Sequence, residues 1–293
     1  MRYGQGFERS KKRSQSWSND PHDVAVYFLS PQGSSYPVKI ATWNVNSLNV
    51  RLPHVVEWLE REAPDVLAVQ ETKMEDHKFP AETFAGLGYQ SVFSGQKTYN
   101  GVAVISREVA VDPVMEIPGF DDPQRRVMAV TIGDVRVINL YIPNGSEVDS
   151  DKYRYKLSWL EALIAWLGSE RHRYPRTIIL GDFNIAPEDA DVHDPLQWQG
   201  KILCSAPERD AFRRLLDLGF HDAFRQFEQP EKSFSWWDYR MNGFPRNLGL
   251  RIDHILFSDE LRPELTGCLI DREPRKLERP SDHTPVVAVW ADS

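Results

Sequence analysis

The feature that most constrains this chain is a repeated unit: a short, β-branched apolar run that stops abruptly at polar residues. Val38–Thr42, Val66–Val69, Val102–Ile105, Val127–Ile132, Val135–Ile142, Thr177–Leu180, Ile252–Phe257 and Val286–Trp290 all have this form and read as buried strands. Helical spacing appears between some of them. Leu52, Val55, Val56 and Leu59 share one face, as do Leu157, Leu160, Leu163, Ile164 and Leu167. Phe212, Leu215 and Leu216 mark a third helix, which Gly219 ends. The runs 127–132 and 135–142 are separated only by Gly133-Asp134, the signature of a hairpin. Strands that adjoin directly, mixed with strands that helices separate, predict an α/β fold. Its form is a four-layer sandwich of two packed mixed β-sheets flanked by α-helices.

The polar residues stand where these runs stop. Trp43 leads to Asn44 and Asn46, Val69 to Gln70 and Glu71, and Leu140 to Tyr141 and then Pro143-Asn144-Gly145. Leu180 leads to Gly181-Asp182-Phe183-Asn184, Asp253-His254 open a run, and Ser281-Asp282-His283 precede the last one. Any one of these residues alone reads as a turn residue bonded to its own backbone. Together they form a set of carboxylate, amide, imidazole and phenol groups at strand ends, the place where packed scaffolds collect their chemistry.

Composition excludes several classes. The net charge of -8 argues against a protein that coats nucleic acid non-specifically, but not against a cleft crowded with carboxylates. No apolar stretch is long enough for a membrane helix, so no membrane partner is expected. Two cysteines, Cys204 and Cys268, lack disulfide or metal spacing and suit a reducing, cytoplasmic setting. Residues 1–37 carry Lys11, Lys12 and Arg13 among Ser, Asn and Gly, and read as a flexible extension. Residues 38–293 show no linker or repeat and read as one catalytic domain acting as a monomer.

The segments Trp43-Asn44-Val45-Asn46-Ser47, Gln70-Glu71-Thr72-Lys73, Gly181-Asp182-Phe183-Asn184, Gly249-Leu250-Arg251-Ile252-Asp253-His254 and Ser281-Asp282-His283 resemble the exonuclease III family of AP endonucleases. That family is a branch of the endonuclease/exonuclease/phosphatase superfamily. The likeness runs from about Val38 to Trp290. Ser235-Trp236-Trp237-Asp238-Tyr239-Arg240 narrows it to the DNA-repair branch, while Asn144 departs from the Gln that some members carry. The resemblance implies hydrolysis of the backbone 5′ to an abasic site in double-stranded DNA, with 3′→5′ exonuclease, 3′-phosphodiesterase or 3′-phosphatase activity at damaged 3′ ends from the same site.

It further implies a Mg²⁺ or Mn²⁺ cofactor, which suits oxygen ligands. Glu71 and Asn44 are the leading ligands, with Asp182, Asn184, Asp282 and His283 as further candidates. Asp182 would orient or deprotonate the attacking water, and Asn184 would hold Asp182 or the phosphate. His283 would bond a phosphate oxygen while Asp253 accepts its other ring proton, and Tyr141 would stabilise developing charge. Whether His283 or Asp182 is the base stays open, as does the number of metals. Asn46, Lys73, Arg126 and Asn144 are candidate substrate contacts, and Trp236 and Leu250 candidate walls of a pocket for a baseless sugar. Trp237 reads as core. Arg125, Lys152, Arg154, Lys156, Arg246 and Arg279 are candidate backbone contacts. Two other readings are a superfamily phosphatase of inositol phosphates or lipid head groups, and a catalytically inactive DNA-binding relative.

Overall fold

The structure, a computed structural model, describes residues 39–291; the extension read over 1–37 lies outside the described residues. In chain order the first half comprises β1 (Lys39–Asn44), α1 (Leu48–Glu62), β2 (Val66–Gln70), α2 (Ala81–Gly86), β3 (Gln90–Ser94), β4 (Val102–Ser106), β5 (Ala110–Val114), β6 (Val127–Ile132) and β7 (Val135–Tyr141). The second half comprises α3 (Asp151–Arg173), β8 (Thr177–Asp182), α4 (Pro195–Trp198), α5 (Ala206–Asp217), β9 (Phe220–Asp222), β10 (Trp236–Trp237), β11 (Gly249–Leu250), β12 (Asp253–Ser258), β13 (Leu265–Ile270) and β14 (Val286–Trp290). Two six-stranded sheets result, ordered β13-β14-β1-β2-β4-β3 and β5-β6-β7-β8-β12-β9, with β10-β11 as a separate ribbon.

Apolar patterning explains the layers. Ile40, Val66, Val104, Val137, Ile178, Leu180, Ile255 and Ala288 face the space between the sheets. The alternate residues Ala41, Trp43, Leu67, Val69 and Ile105 pack outward with Val55, Trp58 and Leu59 of α1. On the other side Ile138, Leu140, Ile179 and Leu256 meet Leu160, Leu163 and Leu167 of α3 and Phe212 and Leu215 of α5. Burial of each such aliphatic side chain stabilises the fold by roughly 2 kcal/mol. The expected four-layer α/β sandwich is what forms.

The topology decides where the strands end. Each sheet contains one parallel pair joined through a helix, β1-α1-β2 and β7-α3-β8. A parallel pair brings both carboxyl ends to the same rim. Asn44 thereby lies beside Gln70, and Tyr141 beside Asp182. The antiparallel β12 starts where β8 stops, with Asp253 opposite Asp182, and Thr42 near the end of β1 pairs with Val286 at the start of β14. All the polar strand ends singled out in the sequence therefore reach one rim. A buried polar clamp ties the sheets beneath it: Gln70 Nε2 donates to Asn139 Oδ1 at 2.7 Å and to Thr42 Oγ1 at 2.9 Å.

Of the strands not expected from the sequence, β10 and β11 form the ribbon, and β3, β5, β9 and β13 are the four edges of the six-stranded sheets. Their burial is partial, as in the exposed centre of Ala-Val-Asp-Pro-Val, where Pro113 and the left-handed Asp112 (φ 52°) also block further pairing. Among the described residues no helix is long and apolar enough to cross a membrane.

Candidate active site

Each catalytic candidate is positioned by a strand end and then locked by a hydrogen bond across the rim. Asn44, fully buried, donates through Nδ2 to Glu71 Oε1 at 2.9 Å and to Asp182 Oδ2 at 2.9 Å, so it bridges the two sheets. Glu71 sits just past β2 in the left-handed region (φ 56°), which turns its side chain away from the strand's own alternation. Tyr141 donates its hydroxyl to the same Glu71 oxygen at 2.9 Å, and Lys73 Nζ ion-pairs with Oε2 at 2.7 Å. Burial opposes ionisation of Glu71, but Lys73 and the Asn44 amide override it and hold its pKa below the ordinary value. Burial and the adjacent Glu71 charge push the Tyr141 phenol well above its ordinary range, so it is a donor at any working pH.

Asp182 is buried at the end of β8. Its Oδ1 accepts the Asn184 N–H at 2.9 Å, and its Oδ2 accepts Nδ2 of Asn44 and, at 3.2 Å, Nδ2 of Asn184. Burial drives its pKa upward, helped by the charges of Asp253 and Glu71 and opposed by His283. His283 completes the group. Its Nδ1 faces Asp253 Oδ2 at 2.9 Å, and its Nε2 lies 3.7 Å from Asp182 Oδ2. Burial disfavours the imidazolium, but the Asp253 and Asp182 carboxylates outweigh it and carry the pKa up to about 10. Asp253 is fixed in turn by Ser235, whose hydroxyl donates to Oδ2 at 2.6 Å.

Glu71, Asp182 and His283 offer ligand atoms that all lie within 4.8 Å of one another. Two carboxylates are the hard oxygen donors that Mg²⁺ or Mn²⁺ takes, so Glu71 and Asp182 fit a divalent cation. The three groups line one cavity of about 320 Å³. Tyr141, Asn144, Asn184, Asp238, Arg240 and Asp282 add further polar groups to its lining, and Trp198, Ile202, Leu203, Trp236 and Ile252 give it apolar surface.

The remaining candidates sort by position. Asn144 donates to Asn184 Oδ1 at 2.9 Å and lines the cavity. Asn46 and Lys73 sit at the rim, joined at 2.6 Å from Nζ to Oδ1. Arg126 is buried, stacks 4.6 Å over the Tyr141 ring and donates to the Tyr141 carbonyl at 3.1 Å, so it braces the phenol from behind. Asp282 also lines the cavity, but both its oxygens are engaged, Oδ1 by Asn46 at 2.8 Å and Oδ2 by the Trp236 indole at 3.0 Å. It lies outside the three-residue cluster. Leu250, paired with Trp236 across the ribbon, is fully buried behind the cavity, and Ile252 takes the wall position expected of it. Trp237 is core, as read.

Lys156 corrects the sequence reading. Instead of contacting a nucleic-acid backbone it is fully buried and ion-paired to the equally buried Glu208. From there Nζ donates to the carbonyls of Asn184 at 2.7 Å and Asn144 at 3.2 Å. Glu208 holds the Leu203 N–H at 3.1 Å and closes a capping box with Ser205. One buried pair thus anchors three cavity loops from below. Arg125, Lys152, Arg154, Arg246 and Arg279 are exposed. Behind the apolar wall, Arg251 Nε binds Asp191 Oδ1 at 2.6 Å and its NH1 binds Asp222 at 2.7 Å. His254 Nδ1 accepts from Arg251 at 3.1 Å, so Nε2–H donates to the Ile185 carbonyl at 2.9 Å. Trp198, Ile202 and Leu203 were missed: they lie in or beside the four-residue α4, where no periodicity marks them.

Residues 41–283 match the Endonuclease/Exonuclease/phosphatase family. The chain is 35% identical to exodeoxyribonuclease III of Haemophilus influenzae over 272 residues, covering 87% of this chain and 99% of that protein. It resembles the structure of a 3′ phosphatase, NExo, from Neisseria bound to a product DNA hairpin, with 50% identity and a TM-score of 0.85 over 87% of this chain and 99% of that one. It is also similar to an AP endonuclease from Archaeoglobus fulgidus, with 41% identity and a TM-score of 0.83 over 86% and 99% of the two chains.

Proposed function

The chain belongs to the endonuclease/exonuclease/phosphatase family, on its exodeoxyribonuclease III branch, and from that membership we propose a DNA-repair phosphodiesterase that cuts 5′ to abasic sites and clears blocked 3′ ends. The observation that carries the reading is one cavity lined both by a cluster of ionisable groups and by apolar surface. Glu71, Asp182 and His283 supply the first, and Trp236, Ile252, Leu203 and Trp198 the second, which suits a sugar with no base attached.

Hydrolysis forms a bond from water oxygen to phosphorus and breaks the bond to the 3′ oxygen, which leaves as an alkoxide and is protonated by solvent. Asp182, with a raised pKa and two amide groups fixing it, receives the proton from the water. Charged His283, held by Asp253, donates from Nε2 to a non-bridging oxygen. Tyr141 holds Glu71 and Asn184 holds Asp182, so both fix the carboxylates that act. Glu71 would hold a divalent cation with Asn44 and Asp182 beside it; when bound, the cation neutralises phosphate charge. The reading extends to Mg²⁺ as the physiological ion and to a monomer acting alone in the cytoplasm.

The test is a labelled duplex carrying one abasic site, run beside an undamaged duplex, a 3′-phosphate end and inositol phosphate, each with and without EDTA. We expect a single EDTA-sensitive cut 5′ to the abasic site and release of inorganic phosphate from the blocked end. Turnover of inositol phosphate alone would select the phosphatase reading, and no turnover of any of them the inactive one.

A further inference from the structure

A second chamber of about 380 Å³ adjoins the reaction cavity. Trp198, Trp236, Asp238 and Arg240 line both spaces, so they form a party wall. His193, Gln197, Lys201, Met241 and Leu248 complete the second chamber. Resting on the proposed phosphodiesterase reading, we propose that this chamber receives the nucleobase of an intact 3′-terminal nucleotide while its phosphate occupies the reaction cavity.

Three observations support that occupant. The first is size. The reaction cavity, at about 320 Å³, must hold the phosphate and sugar, and Ile202, Leu203 and Ile252 are among the residues that bound it. A base still attached to that sugar needs a neighbouring space, and this chamber shares four lining residues with the reaction cavity, whereas the cavity beside Pro143 and Tyr155 shares only Asn144. The second is chemistry. The lining combines aromatic rings and apolar side chains with two groups able to meet a base edge, Gln197 and Lys201, and with Arg240 ion-paired to Asp238. Rings and flat guanidinium groups favour any base through its π-face. The rings are also held in place. The Trp236 indole is bonded to Asp282 at 3.0 Å, and His193 sits edge-on to Trp198 at 6.2 Å.

The third is the state of the loop between β10 and β11. Met241 and Asn242 are consecutive left-handed residues (φ 58° and 52°), a conformation that costs non-glycine residues about 1 kcal/mol or more each. The loop closes on itself through Leu248 N–H to the Gly243 carbonyl at 2.8 Å. A Cβ on Gly243 would meet the Asp238 carbonyl at 2.5 Å, so the close turn requires glycine. Within this tight loop the Met241 side chain is 74% exposed at the chamber. A strained backbone that presents an uncovered thioether does nothing for packing, and a stacked base would cover it.

The consequence is a division of labour. Baseless and 3′-phosphate substrates use the reaction cavity alone, whereas removal of an intact nucleotide uses both chambers. The test fills the second chamber from an exposed position away from the party wall, with Gln197→Trp, and separately opens it with Met241→Ala. Release of intact 3′ nucleotides, abasic-site incision and 3′-phosphate removal are measured on all three proteins. Gln197→Trp should slow intact-nucleotide release at least tenfold, more for purines than for pyrimidines, with incision and phosphate removal changed less than twofold. Met241→Ala should raise KM for intact ends several-fold and leave the other two reactions alone. A 3′-terminal 2-aminopurine bound to Asp182→Asn protein should change its fluorescence, and the Gln197→Trp substitution should abolish that change. Equal effects on all three reactions, or none on intact-nucleotide release, would overturn the chamber. If the unaltered protein fails on the abasic and 3′-phosphate substrates as well, the reading of the catalytic site fails instead.

Discussion

The two sides of the reaction cavity are built differently. The phosphate side comes from the ends of regular strands in both sheets, and nearly every polar atom on it is already bonded: Asn44 to Glu71 and Asp182, Asn184 to Asp182, His283 to Asp253. The apolar side comes from α4, the loop after it and the β10-β11 ribbon, where Trp198, Ile202, Leu203 and Trp236 are held mainly by packing. A strand end can hold a group to within tenths of an ångström, which proton transfer needs. Loops are where shape can differ without disturbing that geometry. On the proposed function, chemistry resides on the sheets and choice of substrate on the loops.

The largest expected effect lies on the strand side. Asp182→Asn keeps the shape and removes the proton acceptor, so turnover of an abasic duplex should fall by about 10³-fold or more with DNA binding nearly unchanged. A fall confined to KM would erase the distinction between the two sides. Next comes the buried pair beneath both. Lys156→Met leaves the Glu208 carboxylate buried without its counter-charge, which should cost about 3–5 kcal/mol in urea unfolding. Adding Glu208→Gln should return much of that stability while turnover stays reduced, because Asn184 has lost its carbonyl anchor. Recovery of both together would reduce the pair to a purely structural role.

A smaller effect belongs to the framework behind the apolar wall. Burial, then the adjacent Arg251 charge, lower the His254 pKa to about 4 from an ordinary 6.5. The folded state keeps this ring neutral while the unfolded chain protonates it, so its contribution to stability is intact above pH 6.5 and is lost as pH falls toward 4. The window is worth about 3 kcal/mol. Melting curves at stepped pH should show that loss in the parent and a shallower one in His254→Gln; identical slopes would contradict the assignment. The smallest change is expected at Trp236→Ala. It should lower the preference for abasic over intact DNA roughly tenfold, about 1.4 kcal/mol, at nearly constant kcat on the abasic duplex. A loss of kcat equal to that of Asp182→Asn would mean the wall takes part in the chemistry.

The same contrast governs what can be read from sequence. The inner strands announce themselves because both faces are covered, which makes Ile178-Ile179-Leu180 and Val66-Leu67-Ala68-Val69 continuous apolar runs. Edge strands such as Leu265–Ile270 are half-exposed and lose that signal. The candidate catalytic groups are legible because strand pairing brings the strand ends to one rim, so position relative to an apolar run suffices. Asp282 was the exception: its strand-end position said nothing of the Trp236 indole and Asn46 amide that occupy its oxygens. The apolar wall was legible only at Trp236, since Ile202 and Leu203 follow a short helix and carry no pattern. Lys156 misled for another reason. Lysine is usually exposed, and nothing local announces a buried Glu208 fifty-two positions on.

The central claim is that groups from both sheets form one cation-and-phosphate site at the shared rim. Anomalous diffraction from crystals of the protein soaked in Mn²⁺ tests it most directly. A peak in contact with the Glu71 carboxylate and next to Asp182, lost in Glu71→Gln, is the predicted result. A protein that is active and EDTA-sensitive, yet shows its Mn²⁺ peak away from this rim, would contradict it.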